Sequence, residues 1–252
     1  MPKTNHEILD IHLTQLRMPT IKHHYQEYSE IAVEQDQAYD EYLLALIDKE
    51  CEVRAHNKIA RLLRNSGLPL EKTMDNFDLK KLKAPQRQHV KVLLEGDFIA
   101  RQENVLAFGN PGSGKTHLLC AIGNELAHQG HSVYFTTVST LVQELLRAKN
   151  ELRLDRMLKR LLKYEALIID DIGYVQQSRE EMEVLFTLIA QRYERGSIML
   201  TSNLPFSKWE SIFKDPMTTA AAIDRLVHHS IILELNLPSY RVEQAKTKKS
   251  KK

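Results

Sequence analysis

At 252 residues with 42% hydrophobic content, the chain is long enough for one filled α/β domain plus a small appendage and too apolar for wholesale disorder. The 35 Lys and Arg nearly balance the 33 Asp and Glu, for a formal net charge of +2, so an argument for nucleic acid must rest on local clustering of charge. Two distant cysteines, Cys51 and Cys120, exclude a disulfide framework or zinc ribbon, and without a leader-like start or a run of about eighteen apolar residues the chain is expected to be cytoplasmic, neither secreted nor membrane-spanning.

Residues 5–66 hold no glycine and one proline, Pro19. Their apolar positions Ile8, Ile11, Leu13 and Leu16, then Leu43, Leu44, Ile47 and Cys51, recur at helical spacing and predict a compact helical N-terminal domain over 1–66, assigned to DNA or partner binding and oligomerisation. Between Lys22 and Lys49 there is no Lys or Arg, while Glu27, Glu30, Glu34, Asp36, Asp40 and Glu41 crowd together. The sign then reverses. Arg54, Lys58, Arg61 and Arg64 follow at intervals that align them on one helical face.

The segment GLPLEKTMDNFDLKKLKAP (67–85) breaks the pattern with a glycine, two prolines and mixed charge, which predicts a linker over 67–84. From 85 to 240 apolar runs alternate with helical patterns. VLAFG (105–109), SVYFTT (132–137), ALIID (166–170), SIMLTS (197–202) and SIILEL (230–235) predict five strands with long crossovers, hence a parallel sheet covered by helices. RVEQAKTKKSKK (241–252) carries six basic residues against one acidic and is expected to be a disordered basic tail.

GNPGSGKT (109–116) matches G-x-x-x-x-G-K-[ST] between an apolar strand and an apolar-periodic helix, the context that the motif requires. Gly109, Gly112 and Gly114 let consecutive N–H groups turn inward around phosphate oxygens. Lys115 reaches the β- and γ-phosphates, the helix supplies its positive end, and the Thr116 hydroxyl ligates magnesium. Arg147, Lys149, Arg153, Arg156, Lys159, Arg160 and Lys163 then face only Glu151 and Asp155. This face, like that of Arg54, either is merely solvated or contacts phosphates without reading bases, giving sequence-tolerant, salt-sensitive binding.

In ALIIDDIG, Asp170 closes a buried strand where it can hold the metal, and Asp171, as the strand ends, can turn to a γ-phosphate and activate water. The plain alternative is a strand-end turn. Asn203 in IMLTSNLPF either positions that water or forms a turn before Leu-Pro. Arg225 in AAAIDRLVHHS either acts on a neighbouring subunit's γ-phosphate or pairs within its own chain with Asp224 or a sheet-edge carboxylate. Trp209 reads as a packing anchor. The adjacent pairs His23-His24 and His228-His229 are not expected to converge on one metal.

These blocks, in this order, resemble the AAA+ P-loop ATPases. GNPGSGKTHL, ALIIDDIGY, LIAQRYERGSIMLTSNLPF and DRLVHHS more narrowly resemble the IstB family of transposition helper ATPases, relatives of the DnaC-type helicase loaders. The resemblance covers most of the chain and is loose over 1–66. It implies nucleotide contacts from Gly109, Asn110, Pro111, Gly112, Ser113, Gly114, Lys115 and Thr116, magnesium at Thr116 and Asp170, water activation by Asp171, sensing by Asn203 and a trans contact from Arg225. It further implies ATP as ligand, rings or filaments on DNA, and a transposase as partner.

Two departures bear on mechanism. Asp171 stands where many AAA+ proteins carry Glu, and little room follows SIILEL for a helical C-terminal lid, so hydrolysis is expected to act as a timed switch. The competing readings are a DnaC-like helicase loader, a small-molecule P-loop kinase and a nucleotide-gated DNA scaffold that does not hydrolyse ATP. Asn203, Arg225 and the basic helices speak against the kinase.

Overall fold

The structure, a computed structural model, describes residues 3–174 and 178–240; the expected tail lies outside the described residues. The chain divides into two units, Met1–Arg61 and Leu62–Lys252.

The first unit is built from α1 (Asn5–Gln15), α2 (Pro19–Glu34) and α3 (Tyr39–Ser66), the last running on past the unit boundary. Thr4 and Glu7 close a reciprocal capping box at the start of α1. Helix α2 begins with Pro19 and has no side-chain cap of its own. Glu50 on α3 supplies one instead. Its carboxylate accepts from the N–H groups of Thr20 and Ile21 at 2.9 and 3.0 Å and from Arg54 Nε at 2.7 Å, and Arg54 also donates to the Arg17 carbonyl.

Burial raises the Glu50 pKa, but hydrogen bonds from Arg54, Ile21 and Thr20 outweigh it and hold the carboxyl below its ordinary value. A depressed folded pKa contributes stability that is present above the unfolded value and lost as pH falls through the folded one. Glu50→Gln should therefore destabilise the chain at neutral pH, and its difference from wild type in urea denaturation should shrink as pH drops below about 4.

The small core of this unit gathers Leu13, Ile21, Tyr25 and Leu46. Of the apolar positions read at helical spacing only Leu13 is buried; Ile8, Ile11, Leu16, Leu43, Leu44 and Ile47 are exposed, as is Cys51. The inward side of α3 is set by Leu46 and Glu50, four residues apart. Two shorter helices cannot cover the remaining circumference of a 28-residue one.

The second unit is a five-stranded parallel sheet in the order β2-β3-β4-β1-β5. Its strands are β1 (Asn104–Phe108), β2 (Val133–Thr137), β3 (Ala166–Ile172), β4 (Ser197–Ser202) and β5 (Ser230–Glu234). Each predicted run became a strand because both faces of the sheet are covered, which favours continuous apolar segments. One face packs Leu106, Leu167, Ile169 and Leu200 against α7 (Val138–Asn150), α8 (Leu154–Leu161), α9 (Arg179–Arg192), α10 (Glu210–Phe213) and α11 (Pro216–Val227). The other packs Val105, Ala107, Ile168 and Met199 against α4 (Ala84–Glu95), α5 (Asp97–Ala100) and α6 (Lys115–His128). Alternation along each strand assigns neighbours to opposite layers.

The segment read as a linker adds Leu68 and Leu82 to this second layer. Trp209 is fully buried and donates Nε1–H to the Leu204 carbonyl at 3.1 Å. Among the described residues no helical lid follows β5, and none of their helices is long and apolar enough to cross a membrane.

Candidate nucleotide-binding site

Strands β1, β3 and β4 deliver their carboxyl ends to one rim of the sheet, where open α/β folds place ligands. The glycine loop leaves β1 and enters α6 through Gly114, which sits at φ 92° as the residue before the first helical turn. A side chain there would be strained by its backbone angle and pressed against Phe77.

Lys115 opens α6 and is only 7% exposed. Its Nζ donates to the carbonyls of Gly109 and Asn110 at 2.8 and 3.0 Å, so the loop is curled around the ammonium. With the N–H groups at the amino end of α6, this makes an anion cradle.

Thr116 and Asp170, 54 residues apart in sequence, meet here: Thr116 Oγ1 donates to Asp170 Oδ1 at 2.9 Å. The same carboxylate oxygen accepts from Thr201 Oγ1 at 2.6 Å, and Thr201 Oγ1 in turn accepts from the Asp171 N–H at 2.8 Å. Asp170 is 5% exposed and, among the described residues, has no cation paired to it. A hard, oxygen-only donor pair of this kind suits Mg2+. Thr201 is the residue that sequence reading missed. A threonine inside SIMLTS reads as an ordinary strand residue, and only strand order, which seats β4 between β1 and β3, puts it between both acids.

The strand does not end at Asp170. Ile169 pairs with Leu200 and Ile172 with Ser202, so two residues of β3 face one of β4, a β-bulge. Asp171 is the exposed member, at φ 65°. In a regular strand consecutive side chains take opposite faces. The bulge instead turns Asp170 to Thr116 while Asp171 lines a cavity of about 400 Å³ beside the glycine loop, with Phe77, Lys81, His117, Tyr174 and Tyr240 among its other walls.

Asn203 follows directly on β4, and its Oδ1 is buried with no hydrogen-bond partner among the described residues. Arg225 lies elsewhere. Near the end of α11, it donates to the Ala221 carbonyl at 2.9 Å and stands 5.3 Å from the Phe186 ring. Its neighbours Asn104 and Ile198 mark the amino ends of β1 and β4, the rim opposite the loop. It makes no ion pair with Asp224 or a sheet-edge carboxylate among the described residues.

The basic residues separate into engaged and open ones. Arg153 pairs with Glu151 at 2.6 Å, Lys159 with Asp155 at 2.8 Å and Arg160 with Glu144 at 3.7 Å. Arg156 has no ion pair among the described residues and lines an open groove of about 870 Å³ between α7 and α8. On α3, Arg54 is committed to Glu50, while Lys58, Arg61 and Arg64 are not ion-paired among the described residues. His228 and His229, expected not to converge, do so with Glu194: one ligand atom from each lies within 4.8 Å of the others, all three residues being exposed. Cys120 is buried and its thiol is pushed up to about 12, which makes it inert packing.

A family model described as IstB-like ATP binding protein matches residues 11–249. A protein of Sinorhizobium fredii named as a putative insertion sequence ATP-binding protein is 42% identical over 238 residues, 94% of this chain and 80% of its own length. The insertion sequence IS5376 ATP-binding protein of Geobacillus stearothermophilus is 37% identical over 94% of each chain. Among solved structures, the DnaC helicase loader superposes with a TM-score of 0.56 at 18% identity, covering 66% of this chain and 97% of that one. AMPPCP-bound DnaA from Aquifex aeolicus gives 0.57 at 21%, over 74% and 57%. The two structures share the fold, whereas the glycine loop, the Thr116–Asp170 pair and a match along nearly the whole length decide the family: this chain belongs to the IstB-like ATP binding proteins.

Proposed function

We propose that this chain is an ATP hydrolase that assembles on DNA as a ring or filament of identical subunits and assists a transposase, with hydrolysis as a timed switch. The observation that carries this reading is the meeting of Thr116 with Asp170 beside the lysine-centred loop. In it, Lys115 and the loop N–H groups bind the phosphates. Thr116 and Asp170 hold Mg2+, which supplies positive charge to the phosphate oxygens. Asp171 accepts the proton of the attacking water, the unpaired Asn203 Oδ1 orients that water, and Arg225 reaches the γ-phosphate of the adjoining subunit.

DNA is assigned to Arg156 and Lys159 on α8, with Arg153 just before it, and to Lys58, Arg61 and Arg64 on α3, contacting phosphates only. A relative named for an insertion sequence favours a transposase over a replicative helicase as client.

Thr201→Val keeps the shape of the side chain but takes one donated hydroxyl from Asp170 and the Thr201 acceptor from the Asp171 N–H. An unsatisfied buried group costs about 1–3 kcal/mol. Turnover measured by phosphate release should drop by roughly tenfold or more with ATP affinity little changed.

The reading as a whole is tested by complementation. Asp171→Asn and Arg225→Ala should each retain ATP binding and lose most turnover, an arginine supplied in trans being worth roughly 10³–10⁵ in rate. Mixed, each subunit supplies what the other lacks, and activity should return in part. A mixture that co-assembles without any recovery would assign Arg225 to its contacts with Ala221 and Phe186.

A further inference from the structure

Beyond β5 the chain lies along the glycine loop. The Leu235 N–H donates to the Phe108 carbonyl at 2.7 Å and the Tyr240 N–H to the Gly112 carbonyl at 3.0 Å, so both ends of a six-residue strap are pinned to β1 and its loop. The fit is tight. Gly112 sits at φ 81°, and a Cβ there would collide with the Ser239 side chain; one at Gly109 would collide with the Leu235 carbonyl.

Across the cavity stands the segment leading into α4. Phe77 lies against Gly114 and 5.6 Å from the His117 ring, and His117 is held by the Thr73 carbonyl at 3.0 Å. The two walls meet where Lys81 Nζ stands 5.6 Å over the Tyr240 ring. The cavity thus joins two chemistries: its lining includes Lys115 and the start of α6, an anion cradle, together with Phe77, Leu237, Pro238 and Tyr240, a residue 52% exposed. A partly exposed aromatic residue beside an anion site suits a flat, π-faced group attached to a phosphate chain.

We propose that the strap Leu235–Tyr240 is a wall of the nucleotide pocket and that Tyr240 stacks on the base of the bound nucleotide. This rests on the ATP reading above and adds to it a residue that distinguishes a nucleotide from a bare polyphosphate. Lys81 holds the ring in place from the opposite wall, and the Tyr240–Gly112 hydrogen bond couples ring and loop. Filling the phosphate end therefore positions the ring for the base.

The test is calorimetric titration of the full chain with ATP and, separately, with inorganic tripolyphosphate, both with Mg2+. Tyr240→Ala should weaken ATP by roughly tenfold, within the range that base–aromatic stacking supplies, and leave tripolyphosphate unchanged. Tyr240→Phe, which keeps the ring, should retain the wild-type ATP affinity. Equal weakening of both ligands by Tyr240→Ala would mean that the strap only shapes the loop, and an unchanged ATP affinity would remove the strap from the pocket; either overturns the proposal. Lys115→Ala separates the two levels of inference. Loss of both ligands in that variant, with neither affected by Tyr240→Ala, would sink the stacking and spare the ATP site. A wild-type chain that binds neither ligand would sink the ATP reading itself.

Discussion

Lys115→Ala should weaken ATP binding by roughly 100-fold or more while the far-UV circular dichroism stays that of the wild type. The ammonium is nearly buried and is held by two loop carbonyls, so its charge is already in place when the phosphates arrive. A hydrogen bond to a charged group contributes about 1.5–3 kcal/mol, and every 1.4 kcal/mol or so is a factor of ten in affinity. The alanine variant loses those bonds and also the post around which the loop curls. Isothermal titration with ATP and Mg2+ measures this directly, and an undiminished affinity would move the site away from residues 109–116.

The largest expected effect on stability comes from Arg192, which takes no part in the proposed chemistry. It is 1% exposed and donates five hydrogen bonds to four carbonyls. Leu161 ends α8, Tyr164 and Glu165 lead into β3, and Ser197 opens β4, so a single guanidinium ties together three elements at the amino rim of the sheet. Burial pushes its pKa down to about 10, which leaves it a cation at neutral pH. Arg192→Met should strand those carbonyls at about 1–3 kcal/mol each, for a loss of roughly 4 kcal/mol or more out of a usual total of about 5–15. Lysine should not rescue it, because a point charge with three donors lacks the planar fork that reaches both sides. Urea denaturation at neutral pH reads the loss, and a variant within about 1 kcal/mol of wild type would show that water replaces the missing donors.

Much of the sheet and its phosphate loop could be read from the chain alone, since a strand buried on both faces is a plain apolar run and a glycine loop is local. Four of the five observed strands begin and end within one residue of the predicted runs. The exception, β3, carries the chemistry. Nothing in ALIIDD announces a bulge, because a bulge depends on how two residues of one strand meet one of its neighbour. Thr201 was invisible for the same reason, its role being fixed by strand order. In the first unit, helical spacing gave the helices but not their inward sides: Leu43 and Ile47 share the period of a core face, yet Leu46 and Glu50 occupy it. Spacing reports that a face exists; the neighbours decide which face is covered. Charge likewise gave position without partner, as Arg54 shows by pairing with Glu50 instead of standing free.

The glycine loop follows the carboxyl end of β1, whereas Arg225 stands by the amino ends of β1 and β4. Five residues of strand, about 16 Å, separate those rims. In the reading proposed above, the loop and Arg225 are halves of one site on opposite rims, and a two-fold axis would match them only in a closed dimer of antiparallel subunits, where residue i meets j and j meets i. The proposed ring or filament requires the other arrangement, subunits stacked head to tail, each offering its amino rim to the next one's carboxyl rim. The symmetry of the assembly then follows from the rotation between neighbours: a closing rotation gives a ring with every site complete, and a non-closing one gives a helix that ends in one unpaired loop and one unpaired arginine.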